Sequence, residues 1–516
     1  MKNNSLLLAG IVLLTSLSCQ KDQPSVPPDG PPVLNAYPVE RNLFGFNTGS
    51  TFYFIRPDVP QSQTIIAHWL DSLQIKSLRF PGGRDANFYH HDGRAYGFKE
   101  SEFESGHSEA DTEAELWQDI KKKEDSYPAG VNVKEPFVEM ANRQAQAASL
   151  FTVNIIHAGY EENRDALQWL LAHNANIGGI ELGNETYLNI HRDSFPTPED
   201  YLQKAKSWAT RFRQDFPGLK IGIVGAPVRA DPVYGAYYLA WNDALAKEDF
   251  YDAVCWHHYV RFDACGYDVL AETVWDCVHD SLMRESRERL PDILNYWKQK
   301  FPAKKLWLTE WNVSAYRKDY ISSQMANLYY SAYLLRLARF SAENNGFVTY
   351  AHHHNLLANG KFPIMRPDID NPSFFDKCER RPAFLAFAGL RDLFDGNTFW
   401  LAGSSFFGFQ DTTQQALGEC FLHVTKTGER ELIVALVNPA ATSNTLHWKP
   451  ADNLRFKVGN KRYEGVFSGT VSGFSGKTLQ SGLNGIGEID PIDAVFNGPV
   501  AIPAFSVQLL RLPLSE

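Results

Sequence analysis

Eight short apolar runs, each followed by a longer stretch of mixed polarity, succeed one another between about residues 42 and 394. They are Asn42–Asn47, Ile75–Phe80, Leu150–His157, Ile177–Leu182, Lys220–Gly225, Ala253–His257, Lys305–Thr309 and Phe347–His352. Runs this short, with little polar alternation, suit strands covered on both faces, as parallel strands are. The stretches between them, such as Gln63–Leu73, Pro136–Ala148, Pro198–Phe216, Met283–Phe301 and Ile321–Glu343, carry apolar residues at helical spacing. Pro136 and Pro198 stand where a first-turn proline belongs. Eight strands alternating with helices predict a (β/α)8 TIM barrel over residues 37–394. A doubly wound open sheet would carry a glycine-rich phosphate loop after its first strand, and Gly45-Phe46-Asn47 is not one.

The texture changes after about Asp395. Glu431–Asn438, Phe456–Gly459 and Val500–Leu510 alternate or are rich in β-formers, with Gly- and Asn-rich turns between them. This predicts a C-terminal antiparallel β-sandwich over residues 395–516. The chain has 516 residues, 44% of them hydrophobic, enough for two domains and a large core. One connection is unusually long. Arg84 to Glu135 carries Glu100, Glu102, Glu104, Glu109 and Asp111. A barrel would raise this loop over its catalytic face, and long ordered loops are often functional. A solvated acidic excursion is the competing reading.

The first nineteen residues read as a targeting segment. Lys2 supplies a positive start, Leu6–Leu14 an apolar stretch too short to span a bilayer, and small residues lead to Cys19. A Cys in that place resembles the lipobox of bacterial lipoproteins, where it is acylated. Ser16 stands where Leu is usual, and Leu17 follows it. Residues 20–36 hold five prolines from Pro24 to Pro32 and read as a stiff tether. The resemblance implies an exported protein of the bacterial cell envelope, lipid-anchored at Cys19 to the outer membrane or cell surface, or periplasmic. Excluding Cys19, five cysteines remain, so they cannot all pair. Cys265 and Cys277 bracket a short segment and could join in an oxidising compartment. The net charge of −10 argues against nucleic acid as a partner.

A barrel places its chemistry at the C-terminal ends of its strands. The fourth predicted strand ends in Gly183-Asn184-Glu185 and the seventh in Glu310-Trp311-Asn312. These strands lie well apart around the barrel, so two glutamates can face each other across its mouth. Retaining glycosidases need two carboxyl groups about 5–5.5 Å apart, one to protonate the leaving oxygen and one to attack the anomeric carbon. Asn184 suits a hydrogen bond to the sugar 2-hydroxyl. Arg79 beside Glu310 would keep the nucleophile ionised. Tyr259 can donate to Glu310. Three histidines, His352, His353 and His354, end the eighth strand. Neighbours in a strand point to opposite faces, so one of them, taken as His352, lines the pocket and no metal is needed. Aromatic residues make up 13% of the chain, and Trp311 beside Glu310 is the one expected to bind sugar.

With these residues in order, the chain resembles the clan A glycoside hydrolases, retaining (β/α)8 enzymes. Asn184-Glu185 matches the clan's strand-four pair, whose Glu is the acid/base, and Glu310 its strand-seven nucleophile. Arg79 matches an Arg that contacts the nucleophile. His257 and Tyr259 match a His-x-Tyr arrangement at the point of bond cleavage. Leu78-Arg79-Phe80-Pro81-Gly82-Gly83 is most similar to the α-L-arabinofuranosidase branch, which also carries a C-terminal β-sandwich. The resemblance implies double displacement on a polysaccharide or oligosaccharide without a cofactor. Where that branch usually has a substrate-contacting Asn, this chain has Arg84. With Arg229, Arg261 and Arg317 after other strands, Arg84 would suit carboxylate or sulfate groups on the glycan. A carbohydrate-binding surface lipoprotein without turnover is the alternative, against which the intact glutamate pair argues.

Overall fold

A computed structural model describes residues 31–516 apart from 56–59, 104–116, 118–119, 145–146, 229–234, 262–264, 266–271, 315–319, 321, 359–361, 368–377, 404–416 and 447–453. Cys19 and residues 20–30 of the tether therefore lie outside the described residues, as do Glu104, Glu109, Asp111, Arg229 and Arg317.

Eight parallel strands close into a barrel. They are, in order, Gly45–Asn47, Ser77–Phe80, Ala148–Thr152, Ile177–Glu181, Lys220–Val224, Ala253–Val260, Lys305–Val313 and Val348–His353, referred to below as the first to eighth strands. Each falls within or against its predicted run. The strand residues are almost all buried because the interior side chains pack inside the barrel and the others lie under the surrounding helices. The helix Pro198–Asp215 shows how its start is specified. Thr197 accepts from the Asp200 amide, Asp200 returns a bond to Thr197, and Pro198 opens the first turn. The predicted helix Pro136–Ala148 instead runs Lys134–Arg143, because Ala148 begins the third strand.

The second unit is a nine-stranded sheet with a two-stranded sheet packed on it. Leu401, Leu422, Val434, Phe456 and Leu510 share one core with Leu446, Val500 and Ile502 of the small sheet. Two features differ from expectation. The segment read as the end of the tether is a strand, Val33–Pro38, and it belongs to this sheet rather than to the barrel. It pairs antiparallel with Thr398–Ala402 and parallel with Leu454–Val458, so the sheet is not wholly antiparallel. Leu34, buried among the sheet's own side chains, supplies the apolar contact that holds it there.

The other face of the sheet packs on the barrel. Phe421, Ile433, Val437 and Val507 join the barrel's continuous core. Between them lies the helix Gln324–Glu343, buried on nearly all sides. A helix hydrophobic all round must be enclosed all round. Cys265 and Cys277 are joined in a disulfide in the segment after the sixth strand.

Candidate active site

The strand ends assemble a charged centre in a barrel that is otherwise apolar. Arg79, on the second strand and fully buried, donates three hydrogen bonds: Nε to Glu181 at 2.6 Å, Nη1 to Glu310 at 2.6 Å and Nη2 to Asn184 at 2.8 Å. One guanidinium fork therefore fixes groups from the fourth and seventh strands at once. Asn47, register partner of Arg79, gives Glu310 Oε1 a second donor at 3.1 Å. Tyr259 donates to Glu310 Oε2 at 2.5 Å.

His257 stands between the two glutamates. Its Nδ1 is 3.0 Å from Glu185 Oε1 and 3.7 Å from Glu310 Oε2. The gap between those oxygens thus cannot exceed the sum of the two distances. A retaining pair at about 5–5.5 Å satisfies that bound. Glu185 also accepts from the Tyr187 hydroxyl at 2.8 Å. The turn that delivers it is tight. Glu185 has φ 46°, and a side chain at Gly183, φ 98°, would meet Ile155 Cγ2 at 2.6 Å. Left-handed backbone at a non-glycine residue costs about 1–3 kcal/mol and tends to gather at functional sites.

The electrostatics single out Glu310. Burial works to raise the Glu310 carboxyl, but the positive charge of His257, the ring of His354, the charge of Arg79 and the Tyr259 hydroxyl outweigh it, holding Glu310 well below the ordinary carboxylate range. His354 itself is pushed down by burial and stays neutral at neutral pH, so the lasting charges are those of His257 and Arg79. Burial would lower His257, yet the charge of Glu310 and the hydrogen bond to Glu185 raise it overall. An ionised carboxylate thus faces a second, partly exposed carboxyl across one imidazole, and such a pair is equipped for nucleophilic attack and proton transfer.

Several expected residues lie elsewhere. Trp311 is fully buried outside the barrel wall, stacked on Tyr333 of the enclosed helix with centroids 4.5 Å apart. Alternation from the inward Glu310 turns it there, and a bulge lies just before it. The pairing of the sixth and seventh strands shifts between Trp256 and His257, so His257 sits opposite Glu310. The extra residue lets both Thr309 and Glu310 turn inward, and Trp311 turns out. His352 is sealed inside the barrel against Tyr350 and has no hydrogen-bond partner among the described residues. His354 is the histidine that borders the cleft, its Nδ1 3.7 Å from Glu310 Oε2. Arg79 contacts the carboxylates and is too buried to touch a substrate.

The sequence reading overlooked four further residues. Glu181 lies fully buried beneath the pair, accepting from Arg79, Thr152 and Thr309. Asn87 clasps the Asn184 backbone through both its amide nitrogen and its oxygen. Asn47 and Tyr187 complete the set. A signal for Glu181 existed, because a carboxylate in an apolar barrel strand has no solvent to face and must be paired.

The pair opens into a cleft of about 990 Å³ bordered by Tyr187, Tyr259, Arg261, His354 and Phe362, with Arg84 at its rim. Arg261 stands two residues beyond Tyr259 and four beyond His257, all three on the cleft. It makes no ion pair among the described residues. Glu102 of the acidic loop is held by His90 at 2.8 Å. Among the described residues no group of three or more His, Cys, Asp or Glu is arranged to hold a metal ion.

No protein-family model matches the chain. No curated protein matches it either. Solved structures do. A family 51 arabinofuranosidase from Xanthomonas axonopodis pv. citri superposes with TM-score 0.63 at 14% identity, over 93% of this chain and 99% of that one. The fold is that of the family 51 arabinofuranosidases. An α-L-arabinofuranosidase from Thermotoga maritima, crystallised with arabinose, gives 0.60 at 15% identity over 93% and 100%. A 4-O-α-L-rhamnosyl-β-D-glucuronidase from Fusarium oxysporum gives 0.56 at 13% identity over 95% and 99%. This coverage spans barrel and sandwich together, so the arabinofuranosidase fold includes the appended sheet.

Proposed function

We propose that the chain is a retaining glycoside hydrolase with Glu310 as nucleophile and Glu185 as general acid/base. The observation that carries this reading is the single imidazole within reach of both carboxyl groups, with Glu310 held ionised beside it. Likeness of fold to arabinofuranosidases and to a glucuronidase supports it. In the first step a Glu310 oxygen bonds to the anomeric carbon while Glu185 gives its proton to the departing glycosidic oxygen. In the second, Glu185 takes a proton from water, whose oxygen replaces the ester at the same carbon. Oε1 already has two donors, whereas Oε2 has Tyr259 alone and keeps a lone pair for the attack. Assay of a polysaccharide panel with wild type and Glu310→Gln, binding measured alongside, tests the reading. Binding without turnover by wild type would favour a carbohydrate-binding lipoprotein instead.

Glu185→Ala is expected to slow cleavage most for poor leaving groups, because an activated aryl leaving group needs little protonation. The check is kcat/KM across aryl glycosides of graded leaving-group acidity. Equal losses across the series would remove Glu185 from the role.

The substrate we favour is anionic, sulfated or uronate-bearing. Arg84 and Arg261 border the cleft of a chain whose net charge is −10, and guanidinium binds such groups through paired hydrogen bonds. A charged hydrogen bond is worth about 1.5–3 kcal/mol. Arg261→Ala or Arg84→Ala should then weaken use of the charged glycan by roughly tenfold to a hundredfold, and matter little for its desulfated or carboxyl-reduced form. Equal wild-type activity on both forms would sink the idea.

We further propose export and acylation at Cys19, supported by the leader pattern and by a disulfide that suits an oxidising compartment. Among the described residues no helix is long and apolar enough to cross a membrane. Cys19→Ser should move the protein from the membrane fraction to the soluble one.

A further inference from the structure

Beside the catalytic cleft lies a smaller pocket of about 280 Å³, and Arg84 borders both. Ser50, Asp85 and Lys123 supply its polar groups, and Tyr53, Phe88, Phe98, Phe103 and Ile120 its apolar wall. Its position is set by the strands beneath it. Ser50 follows the first strand three residues after Asn47, which holds Glu310. Arg84 and Asp85 follow the second strand, which carries Arg79. The turn between them is close to the pair, since a side chain at Gly83 would meet His354 at 3.2 Å and Glu310 Oε1 at 3.9 Å. The pocket thus begins one residue from the Glu310 carboxylate.

Under the glycosidase reading, on which this inference rests, the two sides of the cleft have different occupants. Glu185 must reach the leaving oxygen, so the lobe lined by Tyr187, Leu188, Val228 and Tyr238 takes the leaving group. The sugar to be transferred lies over Glu310, among groups from the first, second and eighth strands. The small pocket adjoins that side, since its Ser50 follows the first strand and its Arg84 and Asp85 the second.

We infer that this pocket is a second glycone subsite, which holds the sugar unit preceding the one transferred to Glu310. Its size is just under the roughly 300–1,000 Å³ of ligand pockets, space for one ring and not for a disaccharide. Its chemistry pairs a donor with an acceptor, as vicinal hydroxyls require. The Lys123 ammonium, half-buried, has no ion-pair partner among the described residues and lies over the Tyr53 ring at 5.6 Å. The Asp85 carboxylate is oriented by the Ser50 amide at 2.7 Å and hydroxyl at 2.9 Å. Phe88 and Phe103 stack on each other 4.3 Å apart, and Tyr53 is anchored by Glu124, so the wall is preformed.

The test uses size-fractionated oligosaccharides of two to five units from arabinan, glucuronoxylan and polygalacturonate. Binding to the Glu310→Gln protein is measured by calorimetry, and kcat/KM is measured on wild type. Both are repeated with Lys123→Trp, whose indole would fill the pocket, circular dichroism confirming that the variant folds. A second glycone subsite predicts a step in affinity and in kcat/KM when one more non-reducing unit is present. Lys123→Trp should shrink the ratio of longer to shorter substrate by roughly tenfold. Absence of the step, or a step that survives in Lys123→Trp, overturns the subsite while leaving hydrolysis intact. A step in binding with no cleavage by wild type overturns the glycosidase reading and leaves the pocket standing. No binding and no cleavage of any oligosaccharide overturns both.

Discussion

Glu310→Ala is expected to cut turnover by roughly four orders of magnitude or more, because it removes the atom that bonds to the anomeric carbon. The fold should persist. The lost side chain sits at the cleft, and Arg79 keeps Glu181 as its partner, so no buried charge is left alone. Addition of azide to this variant should give a glycosyl azide of inverted configuration, because the small anion enters from the vacated face. Product stereochemistry by NMR and the unfolding transition by circular dichroism are the two measurements. Near-normal hydrolysis by Glu310→Ala would remove the seventh-strand assignment altogether.

The largest effect on stability is expected at Arg79. Arg79→Met keeps most of the side-chain volume but takes the guanidinium from the buried Glu181 and Glu310. Breaking a buried ion pair from one side costs about 3–5 kcal/mol. The pH dependence identifies the cause. In the wild type, Glu310 titrates below its unfolded value, so its stabilisation is full above the unfolded value and is lost as pH falls through the folded one. In Arg79→Met, Glu310 loses one of the charges that hold it down and keeps that of His257 and the Tyr259 hydrogen bond. Its folded value then moves up toward the unfolded one, so part of that stabilisation is missing at neutral pH. The gap between variant and wild type in urea unfolding should therefore hold steady from pH 7 to about 4.5 and narrow below it. A gap that stayed constant below that pH as well would assign the loss to packing instead of charge.

Most of the barrel was legible because its strands are covered on both faces and stand out as apolar runs. The carboxyl pair was legible for a chemical reason, since Glu185 and Glu310 close two runs at the ends where such barrels put their chemistry. What lay beyond reach was local irregularity and distant pairing. Simple alternation from an inward Glu310 turns Trp311 outward, as found, but it gives no hint that Thr309 also faces inward. That depends on a bulge whose cause is the register with a neighbouring strand. Among the three histidines, alternation allows His352 and His354 the same face; depth in the barrel separates the sealed one from the one at the cleft. Val33–Pro38 was hidden for a different reason. Its partners are some 370 residues away by the pairing of Asn35 with Ala402, and nothing local in six residues behind a proline-rich stretch specifies them.

That pairing also orders events in time. A ribosome or a translocation pore delivers a polypeptide from its N-terminal end, and Val33–Pro38 arrives with neither neighbour yet made. It must wait, unpaired, while every segment of the barrel emerges, since loops of this length close late and slowly. The sheet can then shut only after Leu454–Val458 has come out, which makes its completion a natural checkpoint on whether the whole chain has been delivered.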